Sequence, residues 1–411
     1  MKRRVFACLI AAGLIASGCA GKGSGSATST SAPSGASTTA DLTKKFGTLD
    51  NPCGKVDKPV TIKATDAGKK ADKFYIGVAN DRTFSVAPGL LKEMFDTSQA
   101  FADWCNAAGG LAGIPIEIVD LDAQFTNVEQ AMGTACSSTF ALVGGGWAQD
   151  DKMFSGKDGS DFTKCKMIAV PSFAVSPAVT EGDRIVQPVP NPAYQRSSAW
   201  LEDIAKLYPD KTKKLVVAYG AGSASLKANE EQIYAVAKKI PGSPWGVGDP
   251  IAYNPLTPDM PAAARQIVQE GATAVSFVGE AGFLAQFAAA LKDQNYTGLI
   301  FADANMYDPL VIKSSTGKTT EGIIARTVIH PFEEADKWPA MKEFLSIMAQ
   351  YNKGKSDTPL AVQSFSSWLL FGQSVKKCAA SGEVTRDCVY NAAKSVTSWD
   401  GGGLHATGNP S

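Results

Sequence analysis

YIGVANDRTFSVAPGLLKEMFDTSQAFADWCNAAGGLAGIPIEIVDLD, Tyr75–Asp122, is the stretch whose reading decides the fold. Together with Phe74, its start gives the apolar run FYIGVA (74–79), which reads as a strand. Residues 88–107 read as a helix with Leu90, Leu91, Met94, Phe95, Phe101 and Trp104 on the buried side. The turn AAGGLAG (107–113) ends it, and Gly109 and Gly110 suit a left-handed cap. IPIEIVDLD (114–122) is the next strand. A strand, a crossover helix and a second strand make a parallel unit.

The same alternation runs outward along the chain. A helix is expected over 127–139, then strands ALVGGG (141–146), MIAVPS (167–172) and RIVQPV (184–189). A second round begins with a helix over 194–208 and the strand KLVVAYG (214–220). Helix 225–239, strand 250–254, helix 260–271, strand 273–279, helix 282–295 and strands 299–303 and 322–329 follow. Two consecutive β-α-β series predict an α/β fold with two doubly wound parallel sheets. Ligands of such sheets bind beyond the carboxyl ends of the strands, so two facing sheets share a cleft.

The N-terminus places this body in the cell. MKRRVFACLIAAGLIASG (1–18) has a basic start, an apolar run and small residues before Cys19, which reads as a secretory signal. The Ala16-Ser17-Gly18-Cys19 junction resembles a bacterial lipobox, with Ala16 where Leu is usual. That resemblance implies a lipid on Cys19. Residues 21–40, GKGSGSATSTSAPSGASTTA, have nothing to bury and read as a flexible tether. The anchor segment is taken as 19–45, and no second long apolar run follows.

The chain has 40 basic and 40 acidic residues, and the signal takes three basic ones and no acidic ones. A mature charge near −3 gives no basic field for nucleic acid. About 370 residues beyond the tether exceed one compact core, so two lobes are the expectation. Six cysteines remain after Cys8 and Cys19, an even number that favours disulfides in an exported chain. Fifteen full pairings are possible. The expected ones are Cys378–Cys388 across a short polar stretch, Cys136–Cys165, and then Cys53–Cys105. Metal binding is disfavoured, since no Cys-x-x-Cys exists and His330 and His405 are isolated.

Other chemistry fails on its own spacing. GAGSAS (220–225) misses the dinucleotide pattern at Ser225 and reads as a strand-to-helix turn. TGKTT (316–320) has Ile312 where a phosphate loop needs its first Gly, so it reads as a surface turn. SVKK (374–377) lies mid-helix without companion motifs. With two histidines and no Gly-x-Ser-x-Gly, neither an enzyme nor a cofactor is expected.

The opening stretch resembles type I periplasmic binding proteins, the solute receptors of branched-chain amino-acid-type ABC importers. Trp104, Asn106, Ala107, Ala108, Gly109, Gly110 and Gly113 stand in that family's WVNAAGG phrase, and Val143–Gly145 in its VGG strand end. PFEEADKWPAMKEFLSIMAQYNKGKSDTPLAVQSFSSWLLFGQSVKKC (331–378) resembles its late paired helices. The resemblance implies two lobes joined by a three-segment hinge, with crossings near 188–192, 330–332 and 390–396. One lobe would hold 60–188 plus 333–390, and the other 193–329 plus 391–411. It also implies a monomer that delivers a small ligand, an amino acid or related compound, to a membrane permease. A ligand sensor for a membrane signalling partner is the alternative use of the same clamshell.

Site candidates follow from strand ends. The first lobe offers Thr83 and Phe84 after the first strand, Trp147, Ala148 and Gln149 after VGGG, and Phe173 after MIAVPS. The second offers Tyr194, Gln195, Ser223, Glu280, Asn305 and Tyr307. Trp147 leads this group, because an aromatic after three glycines reads as a cleft wall. Asn305 falls near the position where amino-acid receptors carry an acid for the ligand ammonium, with Asp303 or Glu280 as substitutes.

Overall fold

The computed structural model describes residues 45–157, 160–192, 196–315, 318–353 and 358–410. The signal, Cys19, the tether to residue 44, Tyr194, Gln195 and the start of TGKTT lie outside the described residues.

Two separate parallel sheets form the body. The first contains β1 (Phe74–Asn80), β2 (Ile116–Asp122), β3 (Ala141–Val143) and β4 (Ala169–Val170), in the order β2-β1-β3-β4. The second contains β5 (Leu215–Gly220), β6 (Ile251–Tyr253), β7 (Ala274–Val278), β8 (Leu299–Ala302) and β9 (Ile324–Ala325), in the order β9-β8-β7-β5-β6. All seven residues of β1 are buried, as a central parallel strand covered on both faces requires.

Helices cover these faces. In the first lobe α1 (Lys92–Ala107) and α2 (Val128–Ser138) follow the first two strands. In the second, α3 (Ala199–Leu207), α4 (Ala224–Lys239), α5 (Met260–Gln269) and α6 (Ala281–Asp293) alternate with the strands. Then α7 (Pro339–Tyr351), α8 (Pro359–Ala379) and α9 (Arg386–Lys394) return to the first lobe. The indole of Trp368 on α8 stacks on Phe101 of α1 at 5.1 Å, and Phe365 packs beside them. The expected α/β clamshell, two doubly wound lobes, is therefore the architecture.

Boundaries moved for local reasons. The first helix starts at Lys92, not residue 88, because Pro88-Gly89 makes a turn with Gly89 at φ 93° and Leu91 at φ 58°. RIVQPV forms no strand. It keeps one bridge, Ala169 to Ile185, while the Gln187 N–H donates to the Pro410 carbonyl and Pro188 has no N–H to give. The expected strand 322–329 shortens to β9, since Ile329 turns away to pair with His405.

Those departures build the hinge. The segments around Gln187, Ile329 and Trp399–Pro410 meet through the Gln187–Pro410 and Ile329–His405 pairings and the Trp399–Gly408 bridge. Residues 390–394, expected at the third crossing, continue α9. The tail, expected with the second lobe, gives Ala392, Ala393, Trp399 and Leu404 to the core cluster of Phe101 and Trp368.

The three disulfides are Cys53–Cys105, Cys136–Cys165 and Cys378–Cys388, as expected. All three lie among first-lobe elements. The second lobe has no cysteine to cross-link and rests on its apolar layers.

Candidate functional site

A cavity of about 520 Å³ lies where the carboxyl ends of the two sheets face each other. This is within the size range of small-molecule sites. Ser172 to Val175 after β4, and Leu360 and Gln363 on α8, form the first-lobe wall. The start of α4 after β5 and the segments after β7 and β8 form the other, with Ser225, Glu280 and Asn305 among them. Pro190 to Pro192 and Val328, from two crossing segments, close the back. The lobes also touch directly, through the Ser225 hydroxyl and the Ala148 carbonyl at 3.5 Å.

One ionic cluster stands in this wall. Arg196, Asp303 and Arg326 all line the cavity, and Asp303 takes a guanidinium on each oxygen. Arg326 donates Nε and Nη2 to Oδ1 at 2.7 and 2.6 Å, and Arg196 Nη2 pairs with Oδ2. Arg196 Nη1 also donates to Asn229 and Gln232 on α4. Burial opposes the charge on Asp303, but the two arginines outweigh it and hold its carboxyl well below the usual range.

A second electrostatic feature is acidic. Burial pushes Glu280 up to about 7, with Asp81 and Asp308 adding repulsion. Across the cleft, burial pushes Glu93 on α1 up to about 8, with Asp308 and Glu280 among the like charges that add to it.

Three of the expected site residues share the cavity wall: Phe173, Glu280 and Asn305. Asn305 is held in place by its Nδ2–H, which donates to the Gly279 carbonyl at 3.1 Å. Phe84 and Ala148 lie behind Phe173 in a small cluster with Leu90, Leu91, Met94 and Leu360. Thr83 is fixed outside the cavity by its N–H bond to Asp122, and Gln149 leads into the short turn Asp150–Phe154. Ser223 caps α4 and is buried against Ser225. Tyr307 stacks on Phe332 at 5.6 Å and hydrogen-bonds Glu333, at the second crossing rather than on the cavity wall.

Trp147 is a correction. It is 1% exposed, packs with Met132, Met153 and Phe162, and donates its Nε1–H to the Leu121 carbonyl. The three glycines produce this placement. A Cβ on Gly145 would lie 2.4 Å from the Ala79 carbonyl oxygen, and one on Gly146 would lie 2.3 Å from that of Phe173. The bare backbone threads between β1 and the β4 loop, and the next side chain drops behind the sheet. Asp303 is likewise no free partner for an ammonium, since both its oxygens are taken by arginines.

Arg196 and Arg326 went unread in the sequence. Arg196 adjoins the flagged Tyr194-Gln195 pair. Arg326 interrupts the apolar run GIIARTVI, and a lone arginine inside a strand pattern was the available signal. Among the described residues no cluster of three or more His, Cys, Asp or Glu is placed to hold a metal, and no helix is long and apolar enough to cross a membrane.

Residues 164–409 match the periplasmic binding protein family model, and the chain belongs to that family. No curated protein matches it. Among solved structures it is similar to a fatty acid ABC transporter substrate-binding protein from Thermomonospora curvata. The identity is 20%, the TM-score 0.67, and the match covers 84% of this chain and 85% of the other. A branched-chain amino acid transporter substrate-binding protein from Streptococcus pneumoniae, in complex with isoleucine, matches at 15% identity and TM-score 0.63, covering 81% and 91%. A solute-binding protein from Rhodopseudomonas palustris, in complex with 3,4-dihydroxybenzoic acid, matches at 16% and 0.62, covering 81% and 88%. These neighbours share the type I periplasmic binding protein fold. The matched family is one of periplasmic binding proteins, and the neighbour from Thermomonospora curvata is by its title an ABC transporter substrate-binding protein.

Proposed function

We propose that this chain is an extracytoplasmic solute-binding lipoprotein of an ABC importer. It captures a small organic ligand, an amino acid or related compound, between its lobes and delivers it to a membrane permease. The observation that carries the reading is the cavity of about 520 Å³ walled by both lobes and backed by the crossing segments. A ligand touching both walls favours the closed form by its differential contacts, and closure presents both lobes to the permease. Phe173, Glu280 and Asn305 are the proposed ligand contacts from the expected set.

The neighbours bind chemically different solutes, isoleucine and 3,4-dihydroxybenzoic acid among them, so the shared fold leaves the ligand to the cavity walls. The proposed tether is a lipid on Cys19, which holds a monomer at the outer face of the cell membrane.

The test is thermal shift of the full-length protein in detergent against amino acids, amides, sugars, polyamines and organic acids, since a ligand specific to the native state raises Tm. Uptake of each hit is then measured in cells with and without the gene. Hits whose uptake falls on deletion support the importer. Hits with unchanged uptake favour the sensor, and silence across the library removes the small-solute reading. Cys19→Ser is expected to move the protein from the membrane fraction to the medium.

A further inference from the structure

We infer that the ligand of this cavity is an organic anion whose carboxylate seats on the Arg196–Arg326 pair. The inference rests on the cavity being the ligand site, as proposed above.

The charge balance points this way. Asp303 carries one negative charge and is clamped by two guanidiniums, which never lose theirs. One positive charge is left over in the cavity wall. It is poorly placed for water to screen, since the Arg196 side chain is 7% exposed and that of Arg326 24%. Arg196 Nε is buried and lacks a hydrogen-bond partner among the described residues. A buried cation short of counter-charge is costly until an anion arrives.

Among the described residues, no other wall residue supplies that anion. Glu280 is the remaining acid among the described wall residues, and the ion pairs of the two arginines go to Asp303. The wall therefore carries a guanidinium pair with one carboxylate between them, and a second acid that is not paired with either arginine. A carboxylate matches the planar fork of arginine, and charge-assisted bonds of this kind are the strong ones. The rest of the wall sets the body of the ligand. Phe173, Val189, Leu226, Val278, Val328 and Leu360 are apolar, and the volume exceeds what a bare inorganic ion fills.

The experiment compares acids with their own amides on the full-length protein in detergent. The pairs are hexanoate and hexanamide, benzoate and benzamide, and L-leucine and L-leucinamide, with glucose and spermidine as uncharged and cationic controls. Calorimetry gives Kd for the wild type, Arg326→Gln and Arg326→Lys, and the ligand-free melting of each variant reports its folding. We expect an acid to bind about tenfold or more tighter than its amide, the scale of a charged hydrogen bond. That ratio should fall towards one in Arg326→Gln and survive in part in Arg326→Lys. Binding confined to amides, glucose or spermidine overturns the anion and leaves the receptor standing. An acid preference unchanged in a folded Arg326→Gln overturns the role of the pair. Silence from every compound overturns both the anion and the receptor reading.

Discussion

The Trp147 indole donates its Nε1–H to the carbonyl oxygen of Leu121, 2.9 Å away, from a position 1% exposed. Leu121 is the penultimate residue of β2, so this bond ties the VGGG turn after β3 to a strand on the far side of β1. Trp147→Phe keeps most of the apolar contact and leaves that carbonyl without its partner. It should cost about 1–3 kcal/mol, and Trp147→Ala about 3–5 kcal/mol. Urea denaturation measures both. Ligand preference should stay the same. A variant of normal stability with altered ligand preference would return Trp147 to the cleft.

Asp303 is the shared counter-ion of Arg196 and Arg326, and its removal strands two guanidiniums. Asp303→Asn should destabilise the fold by about 3–5 kcal/mol, the cost of breaking a buried ionic group on one side. The pH dependence has a definite sign. The folded carboxyl lies below its ordinary value because the two arginines outweigh burial, so its contribution is full above about pH 4. It is lost as pH falls below that. The wild-type advantage over Asp303→Asn in Tm should therefore shrink between neutral pH and pH 3.

Glu280 behaves in the opposite sense. Burial and two like charges raise it to about 7 from an ordinary 4.5. Its contribution is complete below the unfolded value and lost as pH rises through 7. Glu280→Gln should match the wild type in Tm at pH 4 and exceed it at pH 8. Glu93, raised to about 8 by burial with Asp308, Glu280 and Asp96 adding to it, should add to the alkaline loss in wild type. Equal melting of the two proteins from pH 4 to 8 would show that Glu280 is not electrostatically strained.

The disulfides close loops of different length, with sequence separations of 52, 29 and 10. Chain entropy predicts about 4 kcal/mol lost with the longest and about 3 kcal/mol with the shortest. Paired Cys-to-Ser variants should rank in that order: Cys53–Cys105, then Cys136–Cys165, then Cys378–Cys388. Peptide mapping without reductant should recover these three links. A different set would redraw the first lobe, while the second should be indifferent to reductant.

By itself the sequence determined the layers. Seven buried residues in a row at Phe74–Asn80, the apolar helix face from Met94 to Trp104 and the AAGG turn are local patterns. Their repetition in the second half implies two parallel sheets, because hydrophobic periodicity dictates burial and burial dictates pairing. Even the cysteine pairs were legible, since few alternatives suit elements already placed. The cavity wall was legible at Phe173, Glu280 and Asn305, with Asp303 named beside them, each at the carboxyl end of a parallel strand.

Tertiary structure alone decided the rest. Arg196 and Arg326 lie 130 positions apart and meet only because the crossing after β4 and the exit from β9 converge on the strand end at Asp303. No local pattern encodes that convergence. Trp147 was settled by steric room: three missing side chains let the backbone pass, and the indole fell to the dry side of the sheet. A strand pattern fixes which faces are buried, but the packing of distant loops fixes which charges are left to meet a ligand.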